Sequence, residues 1–306
     1  MKRVKIILGI LTILTINSMH SQQDPQYTQY MYNMHIINPA YAGSHGTLNI
    51  GLLHRTQWVG LDGAPKTTVA TINAPIKKNV GLGFSVFADE IGPVKEQNAF
   101  VDFSYTIQTS DFGNLAFGVK GGFSFLDALI SKLDLGDNEE DDVFKEDIKE
   151  TYANFGAGAF YYTDKFYVGL SMPNMLNQYH LKKKNGVISS AAEKMHYFLT
   201  SGYVFDLNDN LKLKPSVMLK GVTGSPLSID VSGNVLINEK LEFGLAWRVD
   251  DSVSALVNME VAPLVRVGYA YDYTTTNLGD YNSGSHEVIL LITISNSRAG
   301  LSPRFF

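Results

Sequence analysis

Cysteine is absent from the 306 residues. Disulfides, thiolate metal centres and a lipid-bearing N-terminal cysteine are thereby excluded. Charge is sparse, with only 18% Asp, Glu, Lys and Arg, little for a wholly soluble surface. A mean hydropathy of −0.02 excludes a helical membrane protein, because spanning helices would drive it well positive. A basic excess is missing too: the formal net charge is −5, which argues against nucleic-acid binding. What the chain does have is 27 Gly, 16 Tyr and 17 Phe. That mixture suits strands that face lipid on one side and a polar interior on the other.

The first 21 residues read as an export signal. Lys2, Arg3 and Lys5 form a basic start, Ile6 to Ile16 an apolar stretch of 11 residues, and Ser18 and Ser21 offer small residues for cleavage before Gln22. The apolar stretch is too short to span a membrane as a helix. Without it the chain carries 22 basic and 30 acidic residues, a net of −8.

From residue 47 onward the pattern is alternation. In 241–249, Leu241, Phe243, Leu245, Trp247 and Val249 share one face, while Glu242, Gly244, Ala246 and Arg248 share the other. The bulk is apolar and the opposite face is small or charged, so the bulk belongs outside. Val80, Leu82, Phe84 and Val86 against Gly81, Gly83 and Ser85 repeat the pattern, as do Val265, Val267, Tyr269, Tyr271 and Tyr273 against Arg266, Gly268, Ala270 and Asp272. Fourteen strands are expected, near 47–58, 66–74, 79–88, 98–108, 114–126, 153–162, 166–172, 195–205, 210–220, 227–236, 240–249, 253–261, 264–273 and 285–295. The expectation is an all-β protein with a single transmembrane antiparallel β-barrel over 47–306. A segment without strands, 22–46, precedes it and sits as a plug or on the periplasmic side.

The connections follow parity. Those after even strands are short, and several after odd strands are long, notably 127–152, 173–194 and 274–284. Outer-membrane barrels have short periplasmic turns and longer outer loops, which would put both termini in the periplasm. Fourteen strands close a wall about 28 Å across, wide enough to need filling or a use. Trp58, Tyr105, Trp247, Tyr271 and Tyr273 suit the interfacial aromatic girdles, or ordinary β-propensity.

Two charge features stand out. The outer loop 127–152 concentrates acids, among them Asp137, Glu139, Glu140, Asp141 and Asp142. It reads as a solvated rim, a site for a basic partner, or a Ca²⁺ site, although its spacing is not that of an EF-hand loop. The inferred lumen face carries Lys212, Lys214, Lys220, Asp230, Glu242, Arg248, Arg266 and Asp272. These form either a docking surface or a structural network paired across neighbouring strands. No His pair at metal spacing, phosphate-binding glycine loop or nucleophile elbow occurs. No catalytic, cofactor or metal site is expected, and the protein reads as a non-enzyme.

The segment before the strands supplies the family. Asp24, Pro25, Gln26, Tyr27, Thr28, Gln29, Tyr30, Met31 and Tyr32, then Asn38, Pro39, Ala40, Tyr41, Ala42 and Gly43, then Arg55, Gln57 and Trp58 closely resemble the PorP/SprF family of Bacteroidetes. The ending Ser302, Pro303, Arg304, Phe305, Phe306 is also similar to that family. The resemblance implies an outer-membrane barrel of the type IX secretion system. It implies partners: the C-terminal sorting domains of secreted clients such as gliding adhesins, the secretion machinery, periplasmic lipoproteins and outer-membrane lipid. Asp24, Pro25, Tyr27, Tyr30, Tyr32, Asn38, Pro39, Tyr41, Gly43, Arg55 and Trp58 are the candidates for partner binding or for a plug. A transport porin and an anchor for the periplasmic ring are the competing readings.

Overall fold

The alternation builds a closed wall. The computed structural model describes residues 27–132, 147–176, 178–184, 187–193 and 195–294. Its strands are β1 (Leu48–Thr56), β2 (Lys66–Lys77), β3 (Val80–Ile91), β4 (Val94–Gln108), β5 (Asn114–Ala128), β6 (Ile148–Tyr162) and β7 (Phe166–Met172). They continue as β8 (Gln178–Lys184), β9 (Val187–Glu193), β10 (His196–Tyr203), β11 (Phe205–Asn208), β12 (Leu211–Val222), β13 (Ser228–Ile237) and β14 (Leu241–Arg248). The last three are β15 (Ser252–Ala262), β16 (Val265–Thr274) and β17 (Ser285–Ile294).

Each stave pairs antiparallel with its sequence neighbour. The ring closes where β1 meets β17, from Leu48↔Ile294 to Thr56↔His286, and where β10 joins β7 to β12. Fourteen staves result, with β11 as one short extra strand. Closure leaves no sheet edge for lipid to cover, the requirement for crossing a bilayer with strands. The outward faces are apolar: Leu245, Leu170, Val119, Phe155 and Trp247 are all more than half exposed. The inward faces hold Arg55, Lys120, Lys214, Asp102, Glu242 and Glu287 in buried positions. This inversion of a soluble protein separates lipid-facing from lumen-facing residues.

The structure departs from the expected boundaries in several places, beginning with the connection expected over 89–97, which shrinks to 92–93 because β3 runs to Ile91 and β4 starts at Val94. β1 ends at Thr56, so Trp58 stands in the following loop at φ 45° rather than on the wall. β6 begins at Ile148, and the β5–β6 ladder runs to Ala128↔Ile148. Above the lipid band an outward residue need not be apolar, so Lys149 and Thr151 hide a strand whose backbone pairing continues. The stretch read as loop 173–194 contains the hairpin β8–β9, paired only with itself. The stave expected over 195–205 breaks after Tyr203. Opposite the break lies Pro215, which has no N–H to give the ladder, and pairing resumes one short step on as Phe205↔Leu213.

The connections β2–β3, β4–β5, β6–β7, β13–β14 and β15–β16 are short and share one end of the barrel, where β1 starts and β17 stops; the other end holds the long connections together with two short ones, β3–β4 (92–93) and β14–β15 (249–251). Asn238 and Glu239, at φ 51° and 60°, make the β13–β14 turn with the two left-handed residues of a type I′ hairpin.

Candidate functional site

The lumen is filled by the chain that precedes β1. A 3₁₀ turn (Tyr30–Tyr32), a one-turn helix α1 (Met34–Ile37) and a second 3₁₀ turn (Pro39–Tyr41) follow one another. The Asn-Pro pair sets the last of these. Asn38 Oδ1 accepts the Ala40 N–H at 3.0 Å as a cap, and Pro39 takes the first position, where its missing N–H costs nothing. Tyr27, Tyr30, Met31, Met34, Ile37 and Tyr41 then pack against Leu53, Val69, Phe160, Met218 and Ile289 of the inward wall. An aqueous channel would leave those wall residues wet. Here they form a hydrophobic core inside a barrel.

The plug spans the lumen. Its first described residues meet the end away from the short turns, where Arg55, Asp272 and Glu287 cluster. Arg55 reaches Asp272 at 2.6 Å and Glu287 at 3.1 Å, and all three are almost wholly buried. Thr28 Oγ1 donates to Asp272 at 2.7 Å and accepts from Arg55 at 3.1 Å. The backbone N–H groups of Thr28 and Gln29 donate to the two Glu287 carboxylate oxygens at 3.0 and 2.8 Å. One cation and several donors therefore satisfy two carboxylates, and the plug supplies three of the bonds.

Further along, every wall sector takes part. Asn258 donates to the Tyr32 hydroxyl at 2.6 Å, and Lys214 sits over the Tyr32 ring at 5.8 Å. Thr71 donates to Asn33 Oδ1 at 3.2 Å. Lys120 donates to the carbonyls of His35 and Ile36 at 3.2 and 2.7 Å and faces Asp102 at 3.5 Å. Ser171 donates to the Ile37 carbonyl at 2.7 Å, Asn38 to that of Ala159 at 3.1 Å, and Ser104 to that of Ala42 at 2.6 Å. Wall glycines make room: a Cβ on Gly118 would lie 2.2 Å from the Ala40 nitrogen. Between Tyr32, Asn33, Asn49, Thr71, Arg266 and Leu291 a cavity of about 90 Å³ remains.

The sequence candidates fall into three groups. Tyr27, Tyr30, Tyr32, Asn38, Pro39, Tyr41 and Gly43 lie in or just after the plug, and Arg55 on β1 joins them. Gly43 takes φ 73° and presses on the Gly81 backbone. Trp58 lies apart, in the β1–β2 loop, its backbone N–H donating to Ser285 Oγ at 3.1 Å. Asp24 and Pro25, the export segment 1–21, the acids Asp137, Glu139, Glu140, Asp141 and Asp142, and the ending 302–306 lie outside the described residues.

The lumen candidates face inward as a set but not as one network. Arg248 makes a two-pronged pair with its cross-strand neighbour Asp230, at 2.7 and 3.2 Å. Arg266 reaches Glu242 at 3.4 Å, across β15. Lys212 pairs at the rim with Glu239 at 2.9 Å, and Lys220 lies over the Phe198 ring at 5.9 Å. Sequence reasoning missed Asp102, Lys120 and Glu287. Their signal was a charge at an inward position of an apolar strand, the same signal that picked out Asp272.

His35 makes the plug sensitive to acid. Burial, with Lys120 close by, pushes its imidazole down to about 3. An unfolded chain binds that proton near 6.5, so the unfolded state gains protons first. Stability is therefore complete above about pH 6.5 and falls as the pH drops towards 3, by about 2 kcal/mol at pH 5. Urea midpoints at pH 7 and 5 should show this loss in the native protein and a smaller one in His35→Gln. Equal losses in the two would place the acid sensitivity elsewhere.

A closed antiparallel wall with an apolar outer face and a polar, plugged interior defines a membrane-spanning barrel of the outer-membrane kind. The chain belongs to the family described as type IX secretion system membrane protein PorP/SprF, which matches residues 19–292. No curated protein matches the chain by sequence. Among solved structures, the CymD monoaromatic hydrocarbon channel is similar at 11% identity and a TM-score of 0.47, over 90% of this chain and 94% of that one. Omp33 of Acinetobacter baumannii is similar at 11% identity and a TM-score of 0.46, over 81% and 97%. The KdgM porin is similar at 9% identity and a TM-score of 0.40, over 81% and 99%.

Proposed function

We propose that this barrel is a non-enzymatic outer-membrane component of type IX secretion that binds a secreted client through the client's C-terminal domain. The binding serves export or surface attachment, as for gliding adhesins. The short-turn end faces the periplasm, so β1 begins and β17 ends there.

The observation that carries this reading is the filled lumen. A transport porin needs a continuous wet passage. Here the plug is bonded to wall strands on every side and buries apolar wall residues. A barrel closed in this way offers a partner its two ends and its loops rather than a path. The family membership supplies the system in which that partner is sought.

The test is affinity purification of the tagged chain from outer membranes, with bound proteins identified by mass spectrometry. A secreted protein held through its C-terminal domain is the expected result. Periplasmic ring components alone would replace client docking with an anchoring role. No partner, together with steady single-channel conductance, would restore the porin reading.

A further inference from the structure

Among the described residues the outward wall is apolar over most of its height and turns polar towards the long-loop end, with Glu90, Lys95, Gln97, Lys149 and Thr151 on β3, β4 and β6 and a second group that carries both outward histidines. The second group lies at the long-loop end of β1, β2, β16 and β17. His54 is two residues from the end of β1, Lys66 opens β2, His286 is the second residue of β17, and Tyr271 is three residues from the end of β16. The ladder aligns them. Thr56 stands opposite both Lys66 and His286, and His286 opposite Tyr271. One row lower, His54 stands opposite Thr68. With strands about 4.8 Å apart, these residues form one contiguous patch on the lipid side.

The His54 imidazole is held on both sides, with Thr56 Oγ1 3.4 Å from its Nε2, and that of His286 on one. Thr68 Oγ1 lies 2.9 Å from His54 Nδ1, and Tyr269 Oη lies 2.6 Å from His286 Nδ1. The Tyr271 ring tilts against His286 at 5.3 Å. With Tyr269 donating to Nδ1, His286 carries its proton on Nε2. Lys66 is exposed, and the acid opposite it, Glu90, is engaged by Lys95 at 3.4 Å. The Tyr271 hydroxyl is spent on the Ser283 carbonyl at 3.1 Å, so the donors the patch keeps are the His286 Nε2–H and the ammonium of a lysine that no described carboxylate reaches. At equivalent positions β14 and β15 present Trp247 and Val253.

Polar groups on a lipid-facing wall are costly at mid-bilayer and tolerated near the interface. Their depth here is that of headgroups, and tyrosines such as Tyr273 suit the same depth. An ammonium and an imidazole N–H flanking one strand match the oxygens of a phosphate. We infer that this patch binds the phosphate of a phosphorylated glycolipid of the outer leaflet, fixing an annular lipid against β1 and β17. The inference rests on the long-loop end facing outward and not on client binding.

The test reconstitutes the full chain in phosphatidylcholine vesicles containing a phosphorylated glycolipid or its dephosphorylated analogue, followed by native mass spectrometry. The expected result is retention of the phosphorylated form over the analogue. Lys66→Met weakens retention about fivefold, the order expected for one lysine at an anionic membrane surface. His54→Leu/His286→Leu weakens it further while the heat-modifiable gel mobility of the folded barrel stays unchanged. Equal retention of the two glycolipids, or equal retention by native protein and variants, overturns the proposal. Displacement of the glycolipid by equimolar inorganic phosphate overturns the lipid as the source of the phosphate.

Discussion

Arg55→Met should lower the unfolding free energy by about 3–5 kcal/mol, the usual cost of stripping one partner from a buried ion cluster. Arg55 lies between Asp272 and Glu287, and methionine fills its volume without its charge. Two carboxylates then face each other, with the hydroxyls of Thr28 and Ser254 and the N–H groups of Thr28 and Gln29 left to satisfy them. The Thr28 and Gln29 donors belong to the plug, so the loss also frees its end nearest the long loops. Urea titration of the folded, heat-modifiable form measures the first effect, and protease cutting near Tyr27–Asn33 the second. Arg55→Met/Asp272→Asn/Glu287→Gln removes the repulsion with the attraction and should recover much of the stability. A loss under about 1 kcal/mol for the single variant would mean that the cluster is not what holds the plug.

The second large effect is expected at Gly118. In planar bilayers the native barrel should pass no steady current, because the plug fills the lumen. Gly118→Leu should open it. The first added carbon would lie 2.2 Å from the Ala40 nitrogen and 2.4 Å from the Pro39 carbonyl carbon. Both are backbone atoms of the plug, which cannot rotate aside as a side chain can. Overpacking in a core that can adjust costs about 1–3 kcal/mol, and here the adjustment is displacement of Pro39–Tyr41 from the wall. The neighbouring Phe117 is lipid-facing and half exposed, so Phe117→Leu should leave both conductance and folding unchanged. A silent, fully stable Gly118→Leu barrel would show that the plug does not lodge against β5.

The strand order was legible because a membrane wall imposes period two on every stave. Phe243, Leu245 and Trp247 had to face lipid, and Glu242 and Arg248 had to face inward, whatever their neighbours did. Turn parity fixed which connections share an end. Where lipid no longer constrains the outward face, as at Lys149 and Thr151 of β6, the signal vanished although the ladder continued. Pro215 could be seen in the sequence as a ladder defect, but its consequence for the opposite stave appears only with the register.

The plug was half legible. Asn38-Pro39 announced a turn, and the aromatic run from Tyr27 to Tyr41 announced something needing burial, but neither names its partner. Periodicity reports which face a residue is on, and it cannot report what a non-periodic segment touches. That pairing depends on contacts between residues more than 200 positions apart, such as Thr28 with Asp272 and Gln29 with Glu287. The sequence by itself thus determined a barrel with charges turned inward. Only the tertiary structure decided that those charges hold the chain's own N-terminal segment, because a lumen is defined by closure and closure is not a local property.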